Sequence, residues 1–408
     1  MIFSIAWRNV WRNKLRSLVI ILAVIFGLVG GIFSVALMNG MMEQMITSSI
    51  QTQLSNIQVH NPDYLTNNEV KYDIGDVSSV ISSIKQNKEV SAISSHIKAQ
   101  AMASTAATGT GVMIIGIDPG KEKKVTTIHE HLIEGSYFGD SLSRSKPILV
   151  GKDLAHKLSA GIGNKVVITI QNLENVITYG AFRIVGIFET HNSNFDKTNL
   201  FVLKKDLAEL INFNPESATE IMIRLDENKQ TEEVAQKLSK ELQGLKVQTW
   251  MQIRPEFELF NSMTQQMLYL FLLLILFGLA FGIVNAMLMA VMERVKEIGM
   301  LMAVGMNKRR IFSMIMLETI FLSITGGIIG ILGGFGLVEY FGESGIDLSV
   351  VAEGLQAVGY ASTAYPSVDN SYYFIVSGMV ILTAVIASIY PARKALKLKP
   401  AEAVREEA

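Results

Sequence analysis

The sequence predicts a membrane protein with four transmembrane α-helices and a large α+β extracytoplasmic domain inserted between the first and second helices. Only 18% of the 408 residues are charged, whereas an average soluble domain carries about 25%. Four apolar runs are long enough to cross a bilayer. A polar stretch from residue 40 to about residue 265 follows the first run, and no window within it is apolar enough to span.

The first elements are a basic entry helix and a membrane span. Residues 1–17 contain four basic residues and no acidic residue. Trp7 and Trp11 lie one turn apart, which is typical of an amphipathic helix anchored at the membrane surface. Residues 18–38 form an apolar run long enough to span. A signal peptide is the alternative, because Ser34-Val35-Ala36 resembles a cleavage site, but the run is longer than a signal peptide's apolar core of about 7–15 residues.

Residues 39–266 are predicted to form the extracytoplasmic domain. Strand–helix–strand units are expected at about 52–105 and about 219–250, with a β-rich insertion at about 106–215 between them. The predicted strands are Asn56–His60, Val112–Ile117, Ile148–Val150, Val166–Ile170, Phe182–Phe188 and Ile221–Leu225. The predicted helices are Asp76–Lys85, with Asp76 as N-cap, Lys152–Leu158 and Thr231–Leu242.

The other three spans set the orientation of the chain. They are predicted at 267–291, 311–338 and 372–390. Pro391 is expected to end the last one. The N-terminus, the 292–310 segment and the tail 391–408 hold four, five and five basic residues, whereas the short loop 339–371 holds none. The positive-inside rule therefore places both termini and the 292–310 segment in the cytoplasm of an inner-membrane protein, and the large domain outside.

The 292–310 segment combines a short apolar stripe with charged turns. The stripe, at helical spacing, is Val291, Val295, Ile298 and Met302. Gly299 and Gly305 are each free to take φ > 0 and end a short helix. Such a helix between two spans is suited to docking on a soluble partner, whose charges would pair with its charged turn. The alternative is an ordinary loop whose charges only set orientation.

Glycines in the spans predict close helix packing. Small residues at a spacing of four let helix backbones approach in lipid. These ridges are Gly326, Gly330 and Gly334 on the third span, Gly278 and Gly282 on the second, and Gly27 and Gly31 on the first. Glu318 is an acidic residue about 11 Å inside the third span, at 1.5 Å per helical residue. Intramembrane carboxylates are usually paired or functional, so structural pairing is favoured over a role in proton transfer.

Candidate chemistry is sparse. The absence of cysteine excludes disulfides, thiolate metal sites and cysteine catalysis. The close histidine pair in His129-Glu130-His131 is interpreted as a solvated loop, with a metal site as the alternative. Gly109-Thr110-Gly111 and Gly161-Ile162-Gly163 lack the Gly-Lys-Ser/Thr that cradles phosphate, so any ATP would be bound by another polypeptide. The net charge of −1 argues against nucleic acid as a partner.

Three motifs resemble the MacB/FtsX-type permeases of ABC transporters, and the resemblance is strongest to the lipoprotein-releasing (LolC/LolE-like) branch. The chain has the family's layout of one span, a large external domain and three further spans. Glu318 and the glycines after it also fall where the family has a Glu before a Gly-rich stretch. The matching motif residues are Ala6-Trp7-Arg8-Asn9 with Lys14 and Arg16; Glu293-Arg294, Glu297-Ile298-Gly299, Ala303 and Gly305; and Pro391-Ala392, Ala395, Pro400 and Glu402-Ala403-Val404-Arg405.

The resemblance implies a non-catalytic permease subunit that binds no cofactor itself. Two such chains, identical or paralogous, would pair in the lipid membrane, and an ABC ATPase dimer carrying ATP and Mg would dock on 293–305. ATP-driven movement would pass through the second span and its extension, Arg254–Gln266, to the external domain. The expected cargo is a lipoprotein or another lipophilic molecule, handled outside or in the outer leaflet and not drawn through a pore. A periplasmic carrier is a further candidate partner.

A second function class stays open. Some family members transport nothing and instead transmit a signal across the membrane to an external hydrolase. The size of the external domain favours the transporter, because the family's regulators typically have a smaller one. An enzyme acting alone is a distant third hypothesis, since no acid–base or nucleophile set is visible.

Overall fold

A computed structural model describes residues 2–12, 14–67, 69–138 and 145–396 of the chain. The helices are α1 Ile2–Arg12, α2 Lys14–Ser49, α3 Pro62–Asn67, α4 Val77–Ile84, α5 Pro119–Val125, α6 Lys152–Lys157, α7 Ser193–Thr198, α8 Lys204–Ile211, α9 Thr231–Glu241, α10 Trp250–Ile253, α11 Pro255–Glu293, α12 Val295–Ala303, α13 Lys308–Ser344, α14 Ala352–Val358 and α15 Asn370–Leu396. The strands are β1 Ile57–His60, β2 Val90–Ser104, β3 Gly109–Ile117, β4 Leu132–Gly135, β5 Lys146–Gly151, β6 Lys165–Gln171, β7 Ile177–Phe188, β8 Asn199–Leu203, β9 Glu220–Leu225, β10 Lys246–Thr249, β11 Ile346–Asp347 and β12 Thr363–Ala364.

The chain divides into two compact units. The first, called the membrane unit, comprises residues 1–42, 261–347 and 363–408 as far as they are described. The second, called the α+β unit, comprises residues 43–260 and 348–362. Each unit has its own hydrophobic core, as expected of a separately packed domain.

Within the described residues, the membrane unit contains the four predicted spans. Helices α2, α11, α13 and α15 carry the apolar windows that are long enough to cross a bilayer. Each of these four helices extends beyond its predicted span, because apolar composition marks only the part of a helix that crosses the hydrocarbon core. The prediction that Pro391 ends the fourth span is wrong, since α15 continues through it to Leu396. Proline removes one helical hydrogen bond, but its fixed φ is compatible with a helix.

The glycine ridge of the third span packs against the first span. A Cβ on Gly330 would lie 2.9 Å from the Leu28 Cβ, and one on Gly326 would lie 3.0 Å from the Ile21 carbonyl oxygen. A larger side chain at either position would therefore force the two helices apart. The predicted close approach is confirmed for this ridge, and the contact lies within one chain.

The other two ridges differ from each other. A Cβ on Gly27 would lie 3.4 Å from Leu279, and one on Gly31 would lie 3.3 Å from Val376, so the first-span pair is also packed. A Cβ on Gly278 or Gly282 would meet no other atom within 4 Å among the described residues. In the described part of the chain, this face of the second span is therefore not packed closely against another helix.

The α+β unit is built on one ten-stranded sheet. The strand order is β10-β1-β9-β2-β3-β8-β5-β7-β4, and β6 pairs with β2 and β7. Both predicted strand–helix–strand units are present, as β1-α4-β2 and β9-α9-β10. Strand β2 pairs with β9 at one end and with β3 and β6 at the other. Because β2 has 15 residues, it joins the β-rich insertion and the two units into a single sheet.

Two cores cover one face of this sheet. Ile57, Ile84, Ile223 and Leu238 belong to the core beneath α4 and α9. Ile114, Phe182, Val202 and Leu207 belong to the core of the β-rich half. Asp76 caps α4 as predicted, since its side chain accepts a hydrogen bond from the Ser79 amide at 3.0 Å.

The 339–371 loop contains structure that the sequence did not predict. Strands β11 and β12 pair in the membrane unit. Residues 348–362, with helix α14, belong to the α+β unit. There the Asn194 side chain donates to the Ala357 carbonyl at 3.5 Å.

Candidate partner-docking site at residues 292–310

The 292–310 segment folds as a short helix between two turns. Helix α11 ends at Glu293, and Arg294 leaves the helical region at φ −108° and ψ 16° before α12 begins. After α12, Gly305 takes φ +96°, a conformation that favours glycine. Asn307 then caps α13 by accepting a hydrogen bond from the Arg309 amide at 3.0 Å. The turn at Gly305 is confirmed, but Gly299 lies inside α12 and does not end it.

The apolar stripe holds the segment against the membrane unit. Val291 is 3% exposed and Ile298 is 4% exposed, and both belong to the core of that unit. Leu301 and Met302 are partly buried and pack against the same core. The predicted apolar stripe is therefore the buried face of the segment.

An ion network fixes the position of the segment. Arg12 Nη2 donates to both carboxylate oxygens of Glu297, at 2.5 and 2.6 Å. Arg294 Nη1 donates to both oxygens of Glu318, at 3.0 and 3.2 Å. Arg294 Nε also lies 3.7 Å from Glu297 Oε2. The four side chains thus connect the entry helix α1, the 292–310 segment and the third span.

The two halves of this network differ in exposure. The side chains of Arg12 and Glu297 are 54% and 46% exposed, whereas those of Arg294 and Glu318 are 11% and 8% exposed. The predicted pairing of Glu318 is confirmed, with Arg294 as its partner. Arg294 Nη2 is buried without a hydrogen-bond partner among the described residues, so the guanidinium retains donor capacity.

The opposite face of the segment is exposed, and it carries Lys296 beside large apolar side chains. Met300 is 54% exposed and Val304 is 89% exposed, and Ala303 next to Val304 is also exposed. A cavity of about 350 Å³ lies beside this face, lined by the four network side chains and by Met300, Val304 and Met314. A protruding apolar surface next to a partly apolar cavity is suited to protein binding, because it leaves large side chains uncovered.

The role of Arg12 has no signal in the sequence. Arg12 is one of the four basic residues in residues 1–17, and it lies 285 residues from Glu297. No local pattern connects two positions so far apart. The charged turn was expected to pair with a partner protein, but Glu297 is already paired within the chain.

The other motif residues lie in several places. Ala6 is fully buried, and the Trp7 ring packs edge-on against Phe321 at 5.4 Å. Ala392 and Ala395 are fully buried in α15. The side chains of Asn9 and Arg16, and the tail motif residues from Pro400 to Arg405, lie outside the described residues.

The two histidines of His129-Glu130-His131 make different contacts. His129 lies in a 3-10 turn, with Nε2 at 3.6 Å from Glu130 Oε1. His131 instead packs edge-on against His191 at 5.7 Å between ring centroids. Within the described part of the chain, no group of three or more metal-ligating side chains is found.

The fold is that of an integral membrane protein with four candidate spans and a large domain between the first two. The family described as MacB-like periplasmic core domain matches residues 17–241, and the FtsX-like permease C-terminal family matches residues 269–400. Because the first match covers more than half of the sequence, the chain belongs to the MacB-like family of ABC transporter permeases with an FtsX-like C-terminal part. It is a permease subunit.

Two named relatives, LolC and MacB, agree with this assignment. The lipoprotein-releasing system transmembrane protein LolC of Neisseria meningitidis is 25% identical over 91% of this chain and 90% of that protein. The macrolide export ATP-binding/permease protein MacB of Chlorobaculum tepidum is 36% identical over 31% of this chain and 17% of that protein. A solved structure of the periplasmic region of MacB from Actinobacillus actinomycetemcomitans has a TM-score of 0.35 and 11% identity, covering 50% of this chain and 92% of that one.

Proposed function

We propose that this permease subunit releases lipoproteins, or exports another lipophilic cargo, using ATP that is hydrolysed by separate ATPase subunits. The LolC relative matches over nearly its whole length, whereas the chain covers only 17% of the fused MacB relative. The match to a lipoprotein-releasing protein without a fused ATP-binding part therefore supports separate ATPases and a lipoprotein-type cargo.

The exposed face of α12 is the observation that carries the proposal. The buried stripe and the ion network hold α12 against α1 and the third span. Met300 and Val304 remain uncovered at the end of two long span helices. In the proposed complex, an ATPase subunit covers this face. Any displacement of α12 is then passed to the third span through Arg294 and Glu318, because these side chains are nearly buried and doubly hydrogen-bonded.

Basic residues support the orientation. Arg294, Lys308, Arg309 and Arg310 flank α12, and the loop between the third and fourth spans contains no Lys or Arg. Under the positive-inside rule, both termini and the 292–310 segment face the cytoplasm. The ATPases would then act on the cytoplasmic side, while the α+β unit handles cargo on the other side with a second permease subunit.

The experiment uses charge on the exposed face. Met300→Asp together with Val304→Asp places two carboxylates on the docking surface and leaves Arg12, Glu297, Arg294 and Glu318 unchanged. Burying an unpaired charge at an interface is costly. We expect a normally inserted permease that no longer co-purifies with its ATPase and no longer stimulates ATP hydrolysis.

The matched control is Val350→Asp, because Val350 is 97% exposed and lies in the α+β unit. This variant should retain the ATPase at the level of the unsubstituted chain. If the double variant also retained and stimulated the ATPase at that level, the 292–310 segment would be an ordinary connecting loop.

A further inference from the structure

The α+β unit contains a cavity of about 490 Å³ on the sheet face opposite its two main cores. Strands β1, β9, β2, β3 and β8 form its floor, while α5, Thr126, α7, residues 52–54 and residues 253–254 line the rest. A volume in this range is typical of small-molecule sites, which occupy about 300–1,000 Å³. The cavity is distinct from the partner-docking site, which belongs to the membrane unit.

One side of the cavity is charged and buried. His96 Nε2 lies 2.5 Å from Glu122 Oε2, and His96 Nδ1 lies 3.4 Å from Glu220 Oε1. All three side chains are at most 3% exposed. Burial lowers the pKa of His96, but the adjacent Glu122 and Glu220 carboxylates outweigh it and raise this pKa to about 9. The imidazole is therefore protonated at neutral pH and offsets the charge of one glutamate.

Lys98 is the cation available to a ligand. Its Nζ lies 3.5 Å from Glu220 Oε2, and within the described residues this is its only charged partner. An ammonium has three donors, so donor capacity remains. The side chain is 31% exposed and lines the cavity. The positive charges of His96 and Lys98 equal the negative charges of Glu122 and Glu220. A bound anion is therefore not repelled by a net negative charge on this side of the cavity.

The neighbouring strands make the next part of the floor apolar. Lys98 on β2 is paired with Ile115 on β3, and Ile115 is paired with Phe201 on β8. One row along, Gln100 is paired with Met113. Ile115 and Phe201 are 6% and 3% exposed. The floor therefore changes from charged to apolar over two strand spacings, which is about 10 Å.

We propose that this cavity binds a single-chain anionic amphiphile. The anionic head lies on Lys98, and the chain runs over Ile115, Met113 and Phe201 toward Leu54 and Ile253, which also line the cavity. The head is a carboxylate or a phosphate, so the ligand is a fatty acid or an alkyl phosphate. This binding needs no ATPase, and the proposal rests on the cavity rather than on the proposed function.

The test uses photolabelling of the full chain in phosphatidylcholine nanodiscs. The probe is dodecanoate with a diazirine near the middle of its chain, and labelled peptides are located by mass spectrometry. We expect labelling of the β3 peptide around Met113 and Ile115. Lys98→Met should lower this labelling about tenfold or more, because a charge-assisted hydrogen bond is lost. Lys98→Arg should retain it, which separates loss of charge from loss of fold.

A second variant fills the cavity without touching the charges. Gly111 lines the cavity, and a Cβ there would meet no atom within 4 Å. Gly111→Phe should therefore abolish labelling of β3 without a steric penalty at its Cβ. Gly75→Phe is the matched control, because Gly75 is equally unobstructed but lies outside the cavity lining.

Competition identifies the head group. Dodecanoate competing better than dodecyl phosphate indicates a fatty acid, and the reverse order indicates an alkyl phosphate; either result supports the proposal. Dodecyltrimethylammonium should not compete. Equal labelling of β3 in Lys98→Met and the unsubstituted chain, or labelling confined to the four span helices, would overturn the proposal.

Discussion

In the membrane unit, Arg12 and Glu297 meet with about half of each side chain exposed, whereas in the α+β unit His96 and Glu122 meet with 2% and 1% exposed. The contact distances are the same, at 2.5 Å. An exposed pair gains little because water competes for both ions. The ions of a buried pair have lost their hydration, so each charge is stabilised mainly by the other.

The two networks also differ in the residues that form them. The membrane-unit network contains only arginine and glutamate. The α+β network contains histidine, whose side chain can lose its charge as the pH rises. The two networks therefore have different structural roles. The membrane-unit network, which is exposed at Arg12 and Glu297 and nearly buried at Arg294 and Glu318, connects segments that are distant in sequence. The fully buried network stabilises one face of the sheet.

The largest expected effect comes from breaking the buried network. Glu122 accepts hydrogen bonds from His96, Ser94 and Thr126 at 2.5, 2.7 and 2.8 Å. Glu122→Ala leaves the His96 charge partly uncompensated and should cost about 3–5 kcal/mol. Hydrogen-exchange mass spectrometry on the full chain should show this as faster exchange in β2 and β9. Glu130→Ala removes an exposed carboxylate, so it should change the free energy of opening measured by exchange by less than about 0.5 kcal/mol. An effect of similar size for both variants would mean that burial does not distinguish the two carboxylates.

Alkaline pH should weaken the buried network next. His96 contacts Glu122 and Glu220, and its pKa is raised from 6.5 to about 9. Glu220 in turn contacts His60 and Lys98. A raised pKa in the folded state means that the stabilisation is complete below pH 6.5 and is lost as pH rises through 9. Urea unfolding should be followed by Trp250 fluorescence, after Trp7 and Trp11 are changed to Phe. The unfolding free energy should fall between pH 6.5 and 9, and His96→Gln should flatten this fall. An unchanged slope in that variant would assign the pH dependence to another group.

Local sequence signals predicted much of the fold. Four apolar runs, the glycine ridge at Gly326 to Gly334 and the Asp76 cap depend on neighbouring residues, and the structure contains each of them. The continuous sheet depends on β2 pairing with strands from three parts of the chain. Such non-local pairing leaves no periodic signal in the sequence. Helix α14 was missed for a similar reason, since it packs on a region about 160 residues away.

The candidate site was predicted in position but not in detail. The stripe of Val291 and Ile298 located the buried face of the 292–310 segment, because apolar periodicity reports burial. A turn was predicted at Gly299 because glycine can adopt φ > 0. Glycine can also adopt helical angles, and Gly299 does so within α12. The partners of Glu297 and Glu318 could not be derived, since tertiary packing alone brings Arg12 and Arg294 to them.

The third expected effect is in the nearly buried half of the membrane-unit network. Glu318→Gln removes the charge that accepts two hydrogen bonds from Arg294, which should cost about 1.5–3 kcal/mol. The measurement is unfolding by sodium dodecyl sulfate in dodecyl maltoside micelles. Arg294→Gln and the double variant complete a mutant cycle, and the double variant should cost less than the sum of the single ones. Additive costs would show that the two side chains are not coupled.

The smallest expected effect is in the exposed half of the same network. Arg12→Gln removes the ion pair with Glu297, but other contacts still hold α1 in place. Val10 is 2% exposed. The rings of Phe3 and Trp7 pack against Phe321 at centroid distances of 4.7 and 5.4 Å. The loss in the same micelle unfolding assay should therefore stay under about 1 kcal/mol. It should also shrink in 1 M salt, where the Debye length is only about 3 Å. Arg8→Gln, which alters another basic residue of α1, is the matched control. A loss above about 2 kcal/mol that persisted in high salt would place Arg12 with the buried pairs, and exposure would then not explain the difference between the two networks.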